Sequence, residues 1–313
     1  MPPKILVITG PTASGKTWLA VELAKRYDGE VVSADSMQIY RRMDIGTAKP
    51  TPEEMQGIPH HMIDVADPEE DFSVARYVDM ASAALEVVLS RGRLPSLAGG
   101  TGLYIDSLLS GRTFAAFDEA SPLRAELEER FRAQGGQALL DELAQADPES
   151  AARLHPNDAK RIVRALEVWL STGRTITQHN EETRALPPRY TALTLKLDFE
   201  RREDRWARID RRVDRMMADG LAEEVRALLD SGIPEHCTAM QAIGYKELAA
   251  AFRTGGDMDA AAAAVKLRSR QYAKRQRTWF RRNGEAKPLL WGAEPNFADV
   301  LHRSTAYLEE FGI

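Results

Sequence analysis

The feature that most constrains the fold is a glycine-rich segment between an apolar strand pattern and a helix pattern. Residues 4–9 read KILVIT, a continuous apolar run rich in β-branched side chains, which is typical of a buried strand. Residues 10–17 read GPTASGKT and match the G-x-x-x-x-G-K-[ST] pattern of a phosphate-binding loop. Apolar residues at helical spacing follow as far as residue 27. Strand, loop and helix together predict the first part of an α/β fold with a parallel sheet.

The residues of this loop are of the types that bind phosphate. Glycines allow successive backbone N–H groups to converge on phosphate oxygens, and the start of the following helix adds partial positive charge. Lys16 supplies a full charge, and the hydroxyl of Thr17 can bind Mg²⁺. A chance glycine-rich turn would need neither the strand before it nor the helix after it. We therefore predict that a phosphate or diphosphate is bound by Gly10, Pro11, Thr12, Ala13, Ser14, Gly15, Lys16 and Thr17.

The end of another strand pattern argues against an ATPase or GTPase. Such proteins usually carry an Asp at the end of an apolar strand, where it helps to hold the metal. Residues 94–98 form an apolar strand pattern that runs into Gly-Gly-Thr-Gly, without a carboxylate. A motor or switch protein is therefore disfavoured, and a group-transfer enzyme whose loop holds a phosphate or diphosphate is favoured.

The remaining patterns predict an α/β core interrupted by helices. Strand patterns occur at residues 30–33, 94–98, 191–199 and 288–291. Residues 114–191 otherwise show helix patterns alone, so we predict an all-helical insertion domain there. Residues 1–113 and 192–313 then form a P-loop NTPase-like core with a parallel sheet flanked by helices. The C-terminal part of this core is predicted to be helical, with one continuous helix over residues 239–252.

Two polar residues lie close to the ends of strand patterns. Because ligands of a parallel sheet lie at the carboxyl ends of its strands, we expect Asp35 and Thr101 near the bound phosphate. A carboxylate there can orient an acceptor group and take its proton. Asp35 could instead be a turn or helix-capping residue, and a tight turn alone explains the glycines around Thr101. Arginines at 208–215 could reach a leaving group, although a solvated helix face explains most of them.

The distribution of charge favours a polyanionic partner. The net charge is −5, yet residues 266–282 contain eight cations and no acid. Tyr272, Trp279 and Phe280 lie among these cations; aromatic rings can stack on unpaired bases while cations bind phosphates. The alternative is a solvated helix whose aromatic residues face the core. The absence of acids favours RNA. A second candidate contact consists of Lys160, Arg161 and Arg164.

Composition adds expectations about the compartment. No apolar run approaches the roughly 20 residues that a membrane helix needs. Cys237 is the single cysteine and cannot form an internal disulfide, which fits a reducing compartment. We therefore expect a cytoplasmic protein that does not enter the membrane, and we expect it to be a monomer.

Seven segments, spread over nearly the whole chain, resemble those of the bacterial tRNA dimethylallyltransferases, also called isopentenyl-tRNA transferases. They are GPTASGKT at 10–17, SADSMQIY at 33–40, IPHHMID at 58–64, AGGTGLY at 98–104, NDAKRI at 157–162, MQAIGY at 240–245 and QYAKRQRTWF at 271–280. The segments occur in the family's order, so this resemblance is far more specific than the phosphate-binding loop alone.

The resemblance implies a reaction and a role for several residues. In this family, dimethylallyl diphosphate donates its five-carbon group to the exocyclic N6 of the adenosine just 3′ of the anticodon, and diphosphate leaves. The loop then holds the donor's diphosphate without ATP hydrolysis, and Thr17 with Mg²⁺ neutralises the leaving group. Asp35 corresponds to the general base, and Thr101 assists in the same pocket. Arg212 best matches the arginine that binds the diphosphate, with Arg208 as the alternative.

The resemblance also implies which residues contact the tRNA. They are Asp35, Ser36, Met37, Gln38, Thr101, Leu123, Ala159, Lys160, Arg161, Ile162, Val163, Met240, Gln241, Ala242, Ile243, Gly244, Tyr245, Ala273, Lys274, Arg275, Gln276, Arg277, Thr278, Trp279 and Phe280. There are two departures from the family. With Ala at residue 159, the contact there rests mainly on Lys160 and Arg161. With one cysteine, the chain cannot form the zinc finger of the eukaryotic relatives.

Three other classes of protein share part of this pattern. A nucleoside or small-molecule kinase has the loop, the strand-end Asp and a helical lid with arginines, but it does not explain the acid-free residues 266–282. The same residues disfavour a prenyltransferase that acts on free AMP or ATP. A tRNA-binding protein without enzyme activity would not need the loop with Asp35 beside it. The sequence leaves open whether ATP competes for the loop.

Overall fold

The structure is a computed structural model that describes residues 2–111, 121–184 and 187–313. The chain divides into two compact units, one of Met1–Leu109 with Arg189–Ile313 and the other of Ser110–Pro188. The predicted start of the insertion domain, at residue 114, lies outside the described residues. No helix within the described ranges is long and apolar enough to cross a membrane.

The strands of the first unit form one six-stranded sheet. They are β1 (Lys4–Thr9), β2 (Gly29–Ser33), β3 (His60–His61), β4 (Leu94–Gly99), β5 (Thr191–Phe199) and β6 (Lys287–Trp291). Their order is β3-β2-β4-β1-β5-β6, and every neighbouring pair is parallel. The predicted α/β class, with a parallel sheet flanked by helices, is confirmed. Thr9 at the end of β1 lies level with Gly99 and Lys196, so the carboxyl ends of the central strands share one edge.

Helices connect and flank these strands. In chain order they are α1 (Lys16–Arg26), α2 (Pro52–Met55), α3 (Val74–Ser90), α4 (Gly102–Leu109), α5 (Pro122–Gln134), α6 (Gly136–Ala146), α7 (Pro148–Arg153), α8 (Ala159–Thr172), α9 (Ile176–Arg184), α10 (Arg202–Ala218), α11 (Leu221–Asp230), α12 (Tyr245–Thr254), α13 (Met258–Phe280) and α14 (Phe297–Phe311). A short 3₁₀ turn covers Ala239–Gln241.

The core of the first unit lies against its central strands. The side chains of Ile5–Ile8 in β1 are fully buried, as expected for a parallel strand covered on both faces of the sheet. On one side, Leu19 of α1, Leu308 of α14 and Trp291 of β6 belong to a single apolar cluster with β1 and β5. This packing holds the end of β1, and with it the start of the glycine-rich loop, in a rigid setting.

The prediction of one helix over residues 239–252 is wrong. The 3₁₀ turn ends at Gln241, the next residue, Ala242, is extended with ψ 147°, and α12 begins after Gly244. Gly244 has φ 100°, a conformation that strains other residues, and its N–H donates to a carboxylate oxygen of Glu247 at 2.8 Å. Apolar residues continue at helical spacing through the break, so the pattern alone did not reveal this turn.

The second unit is helical in its described residues and has a core of its own. Leu127, Leu139, Leu143, Ile162 and Leu166 from α5, α6 and α8 form a buried apolar cluster. The buried carboxylate of Asp147 accepts hydrogen bonds from the N–H of Ser150 at 3.0 Å and the hydroxyl of Thr177 at 2.6 Å. Asp147 thereby caps α7 and joins it to α9.

Candidate active site

The glycine-rich loop leaves β1 through a backbone shape that a side chain would prevent. Gly10 has φ 153°, and a Cβ atom there would lie 2.4 Å from the backbone oxygen of Leu197 and 2.8 Å from Oγ of Ser14. Ala13 also has a positive φ, of 63°. Lys16 and Thr17 then open α1. The loop is thus a tight, locally strained turn at the carboxyl edge of the sheet.

Three hydrogen bonds hold this loop in place. The indole N–H of Trp291 in β6 donates to the carbonyl of Ser14 at 2.8 Å. The N–H of Thr12 donates to Oε1 of Gln276 in α13 at 2.8 Å. Nζ of Lys16 donates to the carbonyl of Pro11 at 2.9 Å. Two of the three partners come from the C-terminal quarter of the chain, so distant parts of the sequence determine the shape of the loop.

Two cations and one carboxylate interact beside the loop. The pKa of Lys16 is lowered to about 8, first by burial and then by the charge of Arg212, while the charge of Asp35 acts in the opposite direction. Burial also lowers the pKa of Arg212, and Asp35 again acts in the opposite direction. Burial disfavours the charged form of both groups, and repulsion from Arg212 adds to this at Lys16, until an anion arrives. The arrangement is therefore suited to a multiply charged anion.

The residues after β2 and β4 are joined to each other. The N–H of Ser36 donates to Oγ1 of Thr101 at 3.0 Å, and the N–H of Thr101 donates to the carbonyl of Ala34 at 3.0 Å. Oδ1 of Asp35 accepts from the N–H of Met37 at 3.0 Å. Asp35 is thus a turn residue through one carboxylate oxygen. No described residue donates to its other oxygen, which is left for a ligand.

A cavity of about 260 Å³ brings together Asp35, Arg212 and Thr12 of the loop, whereas Lys16 does not line it. Its polar lining includes Thr12, Asp35, Ser36, Arg212, Gln241, Tyr272 and Arg275, and its apolar lining includes Ile209, Val213, Met216, Leu221, Ile243 and Val265. Arg208 does not line it, and neither does Thr101, which reaches it through Ser36. The lining combines charged and apolar side chains, as a site for an amphipathic ligand requires.

Tyr272 has a place in this site that the sequence did not reveal. It was expected to stack on RNA bases, but it lines the cavity, with its hydroxyl near the side chains of Thr101 and Gln276. Burial and the negative charge of Asp35 raise the pKa of Tyr272 to about 12, so the hydroxyl stays protonated at neutral pH. Its position four residues before Gln276 puts both side chains on one face of α13, a spacing that could have linked them to the same site.

The acid-free stretch of α13 has an exposed face and a paired face. Lys266 binds Asp214 at 2.5 Å, Arg277 binds Asp198 at 2.6 Å, and Arg270 pairs with Asp210. The cations that form no ion pair within the described residues are Arg268, Lys274, Arg275, Arg281 and Arg282. A second hollow is lined by Gln271, Lys274, Arg275, Thr278, Trp279 and Arg282. Three other residues of α13 that were expected to contact tRNA are buried: Ala273, Gln276 and Phe280.

Residues 240–245 are mostly internal. Met240, Ala242, Gly244 and Tyr245 are buried, and Gln241, Ala242 and Ile243 line the cavity. The hydroxyl of Tyr245 donates to Glu224 at 2.5 Å. The same carboxylate accepts from the backbone N–H groups of residues 44, 45 and 46 at 2.8, 2.8 and 3.1 Å. Tyr245 and Glu224 thereby hold the loop that carries Gly46 into the cavity lining.

Gln38 is also held by the protein itself. Its Oε1 accepts from the hydroxyl of Ser33 at 3.0 Å, and its Nε2 donates to the carbonyl of Ala48 at 3.1 Å. These bonds connect the end of β2 to the loop at residues 44–48. Gln38 is half-buried and does not line the cavity, whereas its neighbours Ser36 and Met37 do.

The remaining predicted tRNA contacts belong to the second unit. Lys160 and Arg161 are exposed at the start of α8, and Arg161 pairs with Asp158. Leu123 and Ala159 are half-buried. Ile162 and Val163 belong to the apolar core of that unit. The two exposed cations are thus the members of this group that are available to a polyanion.

Comparison with known proteins connects this site to one family. Residues 38–283 match the family described as IPP transferase, and residues 3–68 match isopentenyl transferase. The chain is 46% identical over 308 residues to tRNA dimethylallyltransferase 1 of Pelobacter propionicus, with 98% of each chain covered. It is 47% identical over 309 residues to the tRNA dimethylallyltransferase of Geobacter sulfurreducens, with 99% of this chain and 97% of the relative covered.

Solved structures give the same result. The full-length tRNA isopentenylpyrophosphate transferase of Bacillus halodurans is 41% identical, with a TM-score of 0.72 over 98% of this chain and 97% of that one. A eukaryotic dimethylallyltransferase acting on tRNA is 28% identical, with a TM-score of 0.84 over 99% of this chain and 79% of that one.

Proposed function

This chain belongs to the IPP transferase family, and on that premise we propose that it is a tRNA dimethylallyltransferase. It transfers the dimethylallyl group of dimethylallyl diphosphate to N6 of the adenosine 3′ of the anticodon, and diphosphate is released. The observation that carries this proposal is the cavity in which Thr12 of the loop, Asp35 and Arg212 meet.

The loop at residues 10–17 is the proposed diphosphate site of a P-loop NTPase-like core. The charge of Arg212 disfavours the charged form of Lys16, and a diphosphate relieves that repulsion. As the bond between the prenyl carbon and the diphosphate oxygen breaks, negative charge grows on the leaving group, and these two cations stabilise it. Arg212 rather than Arg208 fills this role, because Arg212 lines the cavity and interacts with Asp35.

Magnesium is the proposed cofactor, bound mainly through the substrate. Within the described residues no three His, Cys, Asp or Glu side chains come together as a metal site. Thr17 is half-buried and follows Lys16 in the first turn of α1. Its hydroxyl could bind Mg²⁺ there, with phosphate oxygens and water completing the coordination that the ion prefers. The donor set therefore fits Mg²⁺ together with a diphosphate. When bound, the ion would neutralise part of the charge on the leaving group.

Asp35 is the proposed general base. An amine conjugated to adenine is a poor nucleophile, so the rate depends on placing N6 against the prenyl carbon and on removing its proton. One oxygen of Asp35 is held by Met37, which orients the carboxylate and leaves the other oxygen to accept from N6. Thr101 supports this turn through Ser36. The adenosine must leave the anticodon-loop stack to enter the cavity.

The proposed tRNA surface begins at the mouth of this cavity. Arg275 lines both the cavity and the second hollow, which Lys274, Trp279 and Arg282 extend along α13. Exposed cations next to a half-exposed indole suit a phosphate backbone with unstacked bases. Lys160 and Arg161 of the second unit are proposed as further contacts.

One labelling experiment tests the proposed function against its rivals. Labelled dimethylallyl diphosphate is offered with unmodified tRNA, with free AMP, and without acceptor, and labelled ATP is offered in parallel. We expect label in tRNA alone, and none in a tRNA whose adenosine 3′ of the anticodon is replaced by guanosine. Transfer to AMP but not to tRNA would support the free-nucleotide prenyltransferase, and transfer of phosphate from ATP would support a kinase. Either result overturns the proposal.

A further inference from the structure

Gln276 is a buried polar side chain between the glycine-rich loop and the end of β4. It is 5% exposed, although its neighbours Lys274 and Arg275 are exposed on the same helix. Its Oε1 accepts from the N–H of Thr12 at 2.8 Å, and its Nε2 donates to the carbonyl of Gly100 at 3.0 Å. A side chain enclosed in this way faces the donor loop and cannot reach a macromolecule bound on the outer face of α13.

A second contact joins the same face of α13 to the loop. Ala273, three residues before Gln276, is fully buried and packs with Ala13 of the loop and Ile209 of α10. Residues three apart on a helix share a face. The apolar contact sets the distance between α13 and the loop, and the amide of Gln276 sets the direction of the Thr12 backbone.

The chemistry at this position requires a neutral group that accepts and donates at once. A primary amide can do both: its oxygen accepts from the N–H of Thr12, and its nitrogen donates to the carbonyl of Gly100. An aliphatic replacement would leave the N–H of Thr12 and the carbonyl of Gly100 without this partner, and unpaired groups away from water are costly. A carboxylate would serve Thr12 but repel the oxygen of Gly100.

We propose that Gln276 is a positioning residue for diphosphate binding: it connects the acceptor-binding helix α13 to the loop that holds the donor. The inference rests on the proposed function of the loop. It means that Gln276, which the resemblance assigned to tRNA binding, contacts the glycine-rich loop instead. Thr12 lines the cavity, so a shift of its backbone changes the groups that the diphosphate meets.

The first test compares Gln276→Leu with Lys274→Gln, a matched change on the exposed face of the same helix. Inorganic diphosphate binding is measured by titration calorimetry, tRNA binding by filter retention, and folding by thermal unfolding. We expect Gln276→Leu to weaken diphosphate binding about tenfold and to leave tRNA binding within about twofold. Lys274→Gln should weaken tRNA binding and leave diphosphate binding within about twofold. Unchanged diphosphate affinity in Gln276→Leu, or an equal loss of tRNA affinity, overturns the inference.

A second variant gives a readout that a general loss of stability would not produce. Gln276→Glu has the shape of the amide, and when protonated it can both accept from Thr12 and donate to Gly100. Burial raises the pKa of a carboxyl, so the variant should approach wild-type diphosphate affinity at about pH 6 and fall behind it at about pH 8. A variant-to-wild-type ratio that does not change with pH contradicts the inference. A wild-type protein that fails to bind diphosphate contradicts the proposed function of the loop instead.

Discussion

The pKa of Lys16, lowered to about 8, predicts that donor binding weakens as the pH rises through that value. Lys16 is charged below its pKa and neutral above it, and a diphosphate binds the charged form. At about pH 7 roughly nine-tenths of the lysines carry a proton, and at about pH 9 roughly one-tenth do. If the neutral amine contributes little, affinity for inorganic diphosphate falls about tenfold over this interval.

Titration calorimetry provides a direct check of this linkage. At about pH 8 roughly half of the lysines must take up a proton when diphosphate binds. Measurements in two buffers with different enthalpies of ionisation count that proton. Lys16→Arg is the matched control, because a guanidinium stays charged over the whole interval and its variant should show a flatter profile.

The charges of Arg212 and Asp35 predict how substitutions there move the pH midpoint of diphosphate binding. Arg212 lowers the pKa of Lys16, so Arg212→Gln should move the midpoint to higher pH. Asp35 raises it, so Asp35→Asn should move the midpoint to lower pH. Constant diphosphate affinity between pH 7 and 9, with no proton uptake, would refute the electrostatic argument for this site.

Three further predictions concern the other parts of the site. Asp35→Asn keeps an acceptor for Met37 but loses the base, so kcat for tRNA prenylation should fall about 10²–10⁴-fold while diphosphate binding at low pH persists; near-normal turnover would exclude Asp35 as the base. Arg212→Ala should lower kcat/KM by about 10²-fold or more and Arg208→Ala by less than about threefold in steady-state assays, and the opposite ranking would reassign the diphosphate arginine. Changing Lys274 and Arg275 together to Glu should weaken tRNA binding and reduce the slope of log affinity against log salt by about two, whereas an unchanged slope would make this face of α13 an ordinary solvated surface.

Some parts of the fold followed from short stretches of sequence. The apolar run of β1, the loop and α1 are adjacent in the chain, and local preferences suffice to predict them. The parallel sheet then makes a nonlocal prediction possible, because the carboxyl ends of its strands share one edge. Asp35 and Thr101 lie far apart in the sequence. In the fold, the N–H of Ser36, the residue after Asp35, donates a hydrogen bond to Oγ1 of Thr101.

Other parts could not be predicted because apolar spacing does not distinguish a continuous helix from a broken one. The turn at Gly244 interrupts a pattern that continues through it, and the cost of the turn is offset by a hydrogen bond to Glu247. The ion pairs of α13 could not be predicted either. Residues 266–282 contain no acid, yet three of their cations pair with Asp198, Asp210 and Asp214 of neighbouring elements.

The sequence by itself determined the class of fold, the loop that follows β1 and the segments that resemble the tRNA dimethylallyltransferases. These are properties of residue types at fixed spacing. Only the tertiary structure decided which face of α13 meets the loop and which meets solvent, and that Gln276 and Trp291 hold the loop from the far end of the chain. The physical reason is that burial and hydrogen-bond partners depend on packing between distant segments, which a local pattern does not encode.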